Sequence, residues 1–321
     1  VAALTYSDAV SEALQRLRGV GFEHGGSFVN HAPMAAEALA HMGYADEVPG
    51  WVDDNLRNRE YHDVPERRWD IDPADEADWR GALGNFSRVA DWTALFEREL
   101  TGAPWTEVLA RWWPRLLPGM SGMLTHGVIR TAHAVRAVAA AGEENKLPLA
   151  ELAQGLGYWA ARHSTGGVTV GEEPGLVLPE GDDGREPVVR ALDDLVAEYA
   201  GIYATVAQRH PIPLIHAVTG PAAVRLVVGH LPEEQRLPSY RVARAVSRTM
   251  LDWFHATPRP TAPLPRAPGV AEVFARAAEI GDEHTIKLAE VAVRHEAIAP
   301  DPRHAAAAQV ANDGIGRFYR P

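Results

Sequence analysis

The chain has no cysteine, almost no lysine and no excess of positive charge, and each absence removes a class of function. Without cysteine there is no disulfide framework, no thiolate nucleophile, no iron–sulfur cluster and no attachment site for a c-type haem. Any metal must be held by nitrogen and oxygen. The formal charge of −12 opposes a nucleic-acid partner, which asks for a basic face, and equally opposes docking on anionic lipid. No apolar run approaches the roughly 20 residues that a membrane-spanning helix needs. The first ten residues, VAALTYSDAV, show neither the basic nor the apolar region of a secretory signal, so a cytoplasmic location is expected.

What is present reads as a globular chain of 321 residues, 46% hydrophobic and 23% charged. Helical periodicity dominates it. SDAVSEALQRLRG spaces Val10, Leu14 and Leu17 along one face, with Ser7 as the expected cap and Gly19 as the stop. HAPMAAEALAHMG follows Asn30 as expected N-cap, tolerates Pro33 in its first turn and ends at Gly43. SRVADWTALFERELTG and PWTEVLARWWPRLLPG form a helical pair, and residues 120–142 read as one long alanine-rich helix. Further helices are expected near 148–163, 185–209, 219–231, 239–256, 268–280, 281–298 and 302–313. Strand signals are confined to residues 166–184, read as a long loop, small hairpin or lid. Residues 257–269, TPRPTAPLPRAPG, are a proline-rich connector. The expected fold is all-α, a multi-helical single globular unit over 1–321 with long loops and at most a minor hairpin.

With cysteine missing, the fourteen histidines are the main candidates for a metal. His31 opens a helix, where the positive end of the dipole favours the neutral imidazole that a metal requires. His126 and His133 lie seven apart on one face of the 120–142 helix with Arg130 between them. That stripe either faces solvent or lines a site. His216 closes PIPLIH ahead of a helix expected to start near Thr219 and Pro221; the plain alternative is a hydrogen-bonded turn histidine. His284 and Lys287, three apart in GDEHTIKLAE, share a helix face.

Lys287 is one of only two lysines, with Lys146, among 31 basic side chains. A buried lysine can lose its proton and its neutral amine can add carbon dioxide, giving an anionic carbamate. Arginine, always protonated, cannot. The bland alternative is a solvated Glu283–Lys287 pair at i,i+4, and spacing alone favours it.

Four blocks, NHAPMAAEALAHMG, LTHGVIRTAHAV, HAVTGPAAVRLV and DEHTIKLAE, together resemble the questin oxidase-like family over most of the chain, from about residue 24 to 296. Members act on anthraquinone-type polyketides by Baeyer–Villiger oxygen insertion or ring cleavage. The resemblance implies an oxidoreductase of secondary metabolism, a monooxygenase or dioxygenase with non-haem iron, Fe(II), as cofactor. It implies His31, His126, His216 and His284 as nitrogen ligands and Lys287, carboxylated, as oxygen ligand, with His133 a substitute for His126. These five would be both the metal-binding and the catalytic residues. Five such ligands on an octahedral ion leave one position open for dioxygen or substrate. The implied partners are dioxygen and an aromatic polycyclic small molecule, for which Trp112, Trp113, Trp159 and Trp253 offer flat surface, although core packing explains any one of them equally. The family's fungal oxidases are longer, and some use NADPH; no strand–GxGxxG–helix unit supports a nicotinamide site here.

Three rival readings stand beside this one. His62-Asp63 supplies the dipeptide of an HD-type metal phosphohydrolase, but Pro65 disfavours a helix there. Asp193, Asp194 and Glu198 could pass for the magnesium cluster of a terpene cyclase, or be an exposed face paired with arginine. A non-catalytic helical small-molecule-binding protein would make all the histidines ordinary.

Overall fold

Short polar residues, glycines and prolines cut the apolar periodicity into helices at defined points. In the computed structural model, which describes residues 3–142 and 144–319, they produce fourteen α-helices and one two-strand hairpin among the described residues. The chain is all-α. No helix among the described residues is long and apolar enough to cross a membrane. Contacts divide the chain into two compact units, residues 1–167 with 230–232 and residues 168–229 with 233–321.

The first unit contains α1 (Tyr6–Leu17), the hairpin β1 (Glu23–His24) and β2 (Phe28–Val29), α2 (Ala32–His41), α3 (Val48–Asn58), α4 (Glu76–Ala82), α5 (Val89–Gly102), α6 (Trp105–Leu116), α7 (His126–Ala140) and α8 (Leu147–Ala161). The cap of α1 is Thr5, two residues before the expected Ser7, because Thr5 and Asp8 form a reciprocal capping box. Helices α3 and α4 were not evident from periodicity. At the centre α8 is buried on nearly every side, between α7 and α5. Glycine permits that approach: a Cβ at Gly127 of α7 would lie 2.6 Å from the Trp159 Cα, and one at Gly157 of α8 would lie 2.9 Å from the Thr93 hydroxyl oxygen. Trp112 is ringed edge-to-face by Trp79, Trp92 and Phe96, and Trp113 meets Trp159 at 5.1 Å.

The long helix expected over 120–142 begins only at His126. Met123, Leu124 and Thr125 have φ of 47°, 50° and 64°, three successive left-handed residues that no α-helix accommodates. His126 is therefore the first residue of α7, and not an interior position.

The second unit contains α9 (Pro187–Thr205), α10 (Ile215–Val228), α11 (Glu233–Trp253), α12 (Val270–Ile280), α13 (Glu283–Ile298), α14 (Pro302–Gly316) and a 3-10 turn at Arg317–Tyr319. Helix α9 packs on α10 and α14, and α13 on α12, α14 and α10. Residues 166–184 form irregular chain with no strand, and 257–269 hold no helix. Helix α10 starts four residues before the expected Thr219, which lies within it and donates to the Ile215 carbonyl. Pro221 is interior, so the Ala217 carbonyl loses its i+4 donor. The Ser247 hydroxyl of α11 donates to that carbonyl at 2.8 Å, which is why the helix tolerates the proline.

Candidate metal centre

Two of the candidate histidines lie in each unit, and all four stand at the start of a helix. In the first unit, His31 is the N-cap residue of α2, one position later than the expected Asn30. The Asn30 side chain still accepts from the Ala32 amide at 3.0 Å, and Pro33 occupies the first turn. The ring is held by Nδ1, which donates to the Val29 carbonyl of β2 at 2.7 Å. His126 opens α7, and its Nδ1 donates to the Met123 carbonyl at 2.5 Å. The left-handed turn is what directs that carbonyl back onto the ring.

With both Nδ1 atoms protonated by these bonds, both Nε2 atoms carry lone pairs. They face each other at 2.7 Å, with the rings nearly perpendicular. Two lone pairs at that distance repel unless a cation lies against both. A shared proton satisfies both atoms, and so does a metal ion; the dipoles of the two helix N-termini oppose either charge.

The helices that bear this pair are clamped by Glu37 of α2. Its carboxylate accepts from His133 Nδ1 and from two nitrogens of Arg136, both on α7, and from the Tyr6 hydroxyl. Burial alone would raise the Glu37 pKa, but Arg136 and His133 bring it down to about 2. This gives His133 a defined role as part of an ion-pair clamp, and Arg130 likewise makes a two-pronged ion pair with Glu151. The polar stripe on α7 is thus buried and paired, and not solvent-facing.

In the second unit His216 lies in the first turn of α10 and His284 in the first turn of α13. Their ring centroids are 5.6 Å apart with the planes nearly perpendicular, and their nearest ligand nitrogens lie within 4.8 Å. His216 Nδ1 donates to the Pro213 carbonyl at 2.9 Å, and His284 Nδ1 to Asp282 Oδ1 at 3.1 Å. In both rings Nδ1 is engaged, which leaves Nε2 as the nitrogen that can serve as a ligand atom.

One turn after His284, Lys287 is 1% exposed and its Nζ makes no hydrogen bond. The solvated Glu283–Lys287 pair that spacing favoured is therefore not what forms; Glu283 is buried as well. Burial lowers the Lys287 pKa to about 8, and the charges of Glu283 and Asp282 offset only part of that. His216 is pushed well below the ordinary imidazole value, first by burial and then by the charges of Lys287 and His284. A neutral histidine and a readily deprotonated lysine are the states in which both can bind a metal.

The other candidates separate from these pairs. Trp112, Trp113 and Trp159 are core residues of the first unit, and Trp253 is partly exposed at the end of α11. His62 and Asp63 are exposed on irregular chain, which removes the helical presentation that an HD-type site needs. Asp193 is buried in ion pairs with Arg185 at 2.7 Å and Arg225 at 2.8 Å, while Asp194 and Glu198 are exposed, so no acidic magnesium cluster forms there. Two contributors went unnoticed in the sequence: the left-handed turn before His126, and Asp282, whose position two residues before His284 is that of a helix cap.

No protein-family model matches the chain, and no curated protein matches it.

Proposed function

We propose that the chain is a non-haem metal-dependent oxygenase in which His31, His126, His216, His284 and a carboxylated Lys287 hold one ferrous ion and act on an aromatic polycyclic, quinone-type substrate. The observation that carries the metal is the His31–His126 pair, two buried Nε2 lone pairs facing each other at 2.7 Å. The pair in the second unit repeats the device, with Nδ1 held and Nε2 presented. Two ligands are too few to retain a metal, so the reading joins the pairs on a single ion.

An ion so held supplies an open coordination position at which dioxygen and an electron-rich aromatic can be brought together. The chain's own contribution is positional. Each ring is locked by its Nδ1 hydrogen bond, so its donor atom needs no reorientation to bind. At Lys287 the neutral amine adds carbon dioxide and loses a proton, which converts an unpartnered buried nitrogen into an oxygen anion. Four neutral imidazoles supply no negative charge, and this carbamate would offset part of the dication. The substrate class rests on the four resembling blocks, and the acidic surface is consistent with a small-molecule partner over a nucleic acid. No motif supports an NADPH site.

The deciding experiment is elemental mass spectrometry on protein purified without chelators or an immobilised-metal column. About one iron per chain, lost in His31→Ala and His216→Ala alike, is the expected result, followed by oxygen uptake with hydroxylated anthraquinones. Absence of metal after anaerobic reconstitution with ferrous iron would leave a helical binding protein and end the oxygenase reading.

A further inference from the structure

Three of the four imidazoles donate Nδ1–H to a backbone carbonyl, and His284 alone donates to a carboxylate. A carbonyl fixes a ring; a carboxylate also makes it a stronger electron donor, because the negative charge stabilises the partial positive charge an imidazole acquires on binding a cation. The acid is built into a rigid corner. Gly281, at φ 75°, closes α12, and Asp282 caps α13 by accepting the His284 amide at 2.8 Å on Oδ1, the oxygen that also receives the ring. The Thr285 hydroxyl donates to the Asp282 carbonyl at 2.9 Å, which ties down the backbone.

The second carboxylate oxygen is held from elsewhere. Oδ2 accepts the Tyr319 hydroxyl at 2.8 Å, from the 3-10 turn that follows α14. With both oxygens engaged the carboxylate is held against rotation, and its orientation toward His284 is set. Asp282 is buried, whereas Tyr319 is 54% exposed. One end of the relay is thus open to solvent and the other lies on a candidate ligand.

We propose that Asp282 is a positioning residue that makes His284 the strongest imidazole donor of the centre, and that Tyr319 is the exposed latch that holds Asp282 in place. Detaching the Arg317–Tyr319 turn would then loosen the metal without disturbing any ligand. The inference rests on the reading of His284 as a ligand, and its test keeps the two separate.

The experiment titrates full-length metal-free protein with ferrous iron and with cobalt(II) against a competing chelator, for wild type, Asp282→Asn and Tyr319→Phe. The cobalt ligand-field absorption is recorded as well. Asparagine caps a helix as well as aspartate does, so Asp282→Asn removes the charge and keeps the corner. Tyr319→Phe removes only the hydroxyl that reaches Asp282. The expected result is about 10- to 100-fold weaker metal binding in Asp282→Asn with shifted cobalt bands, and a smaller loss, about 10-fold or less, in Tyr319→Phe. Apoprotein melting temperatures are recorded alongside, so that a loss of stability is separated from a loss of affinity. Should Asp282→Asn fail to fold, the Tyr319→Phe titration decides alone. Wild-type affinity and unshifted bands in both variants would overturn the latch while the metal centre stands. A wild type that binds neither ion would overturn both.

Discussion

The two histidine pairs solve one problem by different local chemistry. In the His31–His126 pair each Nδ1 is held by a backbone carbonyl, one from a β-strand residue and one from a left-handed turn, while Glu37 clamps the helices that bear them. The His216–His284 pair has one carbonyl, one carboxylate and a buried lysine beside it. The first pair supplies geometry; the second also supplies charge. What separates them is the tolerance each should show to substitution and to pH.

The comparison breaks most severely at the ligands. His126→Ala and His284→Ala should each lower metal affinity by about a hundredfold or more, exceeding what loss of an outer partner costs. Only the first should leave one Nε2 relieved of its facing lone pair, so its apoprotein should melt no lower than wild type. A clear drop in melting temperature would contradict the repulsion argued at 2.7 Å.

Lys287 sharpens the contrast. Lys287→Arg places a permanent charge at a site 1% exposed with no hydrogen-bond partner, and should destabilise the apoprotein by about 3–5 kcal/mol. Lys287→Met, apolar and of similar length, should fold at least as stably as wild type yet bind metal poorly. Denaturant titration and metal analysis check both. Full metal in Lys287→Met would sink the carbamate.

The first unit's sensitivity to acid should centre on Glu37. Its folded pKa lies near 2, below the ordinary 4.5, so the stability it contributes is fully present above about 4.5 and is lost as pH falls through 2. A difference of that size is on the order of 3 kcal/mol. Denaturant midpoints measured between pH 6 and pH 2 should fall for wild type, with a shallower slope in Glu37→Gln. Identical slopes would show that the clamp contributes nothing. The smallest effect belongs to Ser247→Ala, which should cost about 1–3 kcal/mol by leaving the Ala217 carbonyl unsatisfied beneath His216.

Much of the fold was legible because it is local. Asn30, His31 and Pro33 mark the start of α2 within one residue, and the helix expected over 281–298 is α13 to within two residues. The errors have non-local or unusual causes. Met123, Leu124 and Thr125 extend the apolar pattern toward residue 120, and none is the glycine or asparagine that announces a left-handed turn. Thr219 and Pro221 imitate a helix start, and what keeps α10 intact across Pro221 is a hydroxyl thirty residues away. His284 and Lys287 could be placed on one face by counting, but the burial that rules out a solvated pair and lowers the pKa of the amine comes from packing between α10, α12, α13 and α14.

Gly127 carries a consequence for anyone randomising this chain. It follows His126 directly, and the Trp159 backbone lies where its side chain would begin. Even alanine there must push α7 away from α8, and the displaced helix takes the His126 ring with it. In a saturation library position 127 should return glycine alone, and the survivors of a screen for folded protein should fail a screen for metal wherever it does not. The first imidazole of α7 is thereby tied to a contact that admits no side chain, and efforts to reshape the centre would do better to begin at α13.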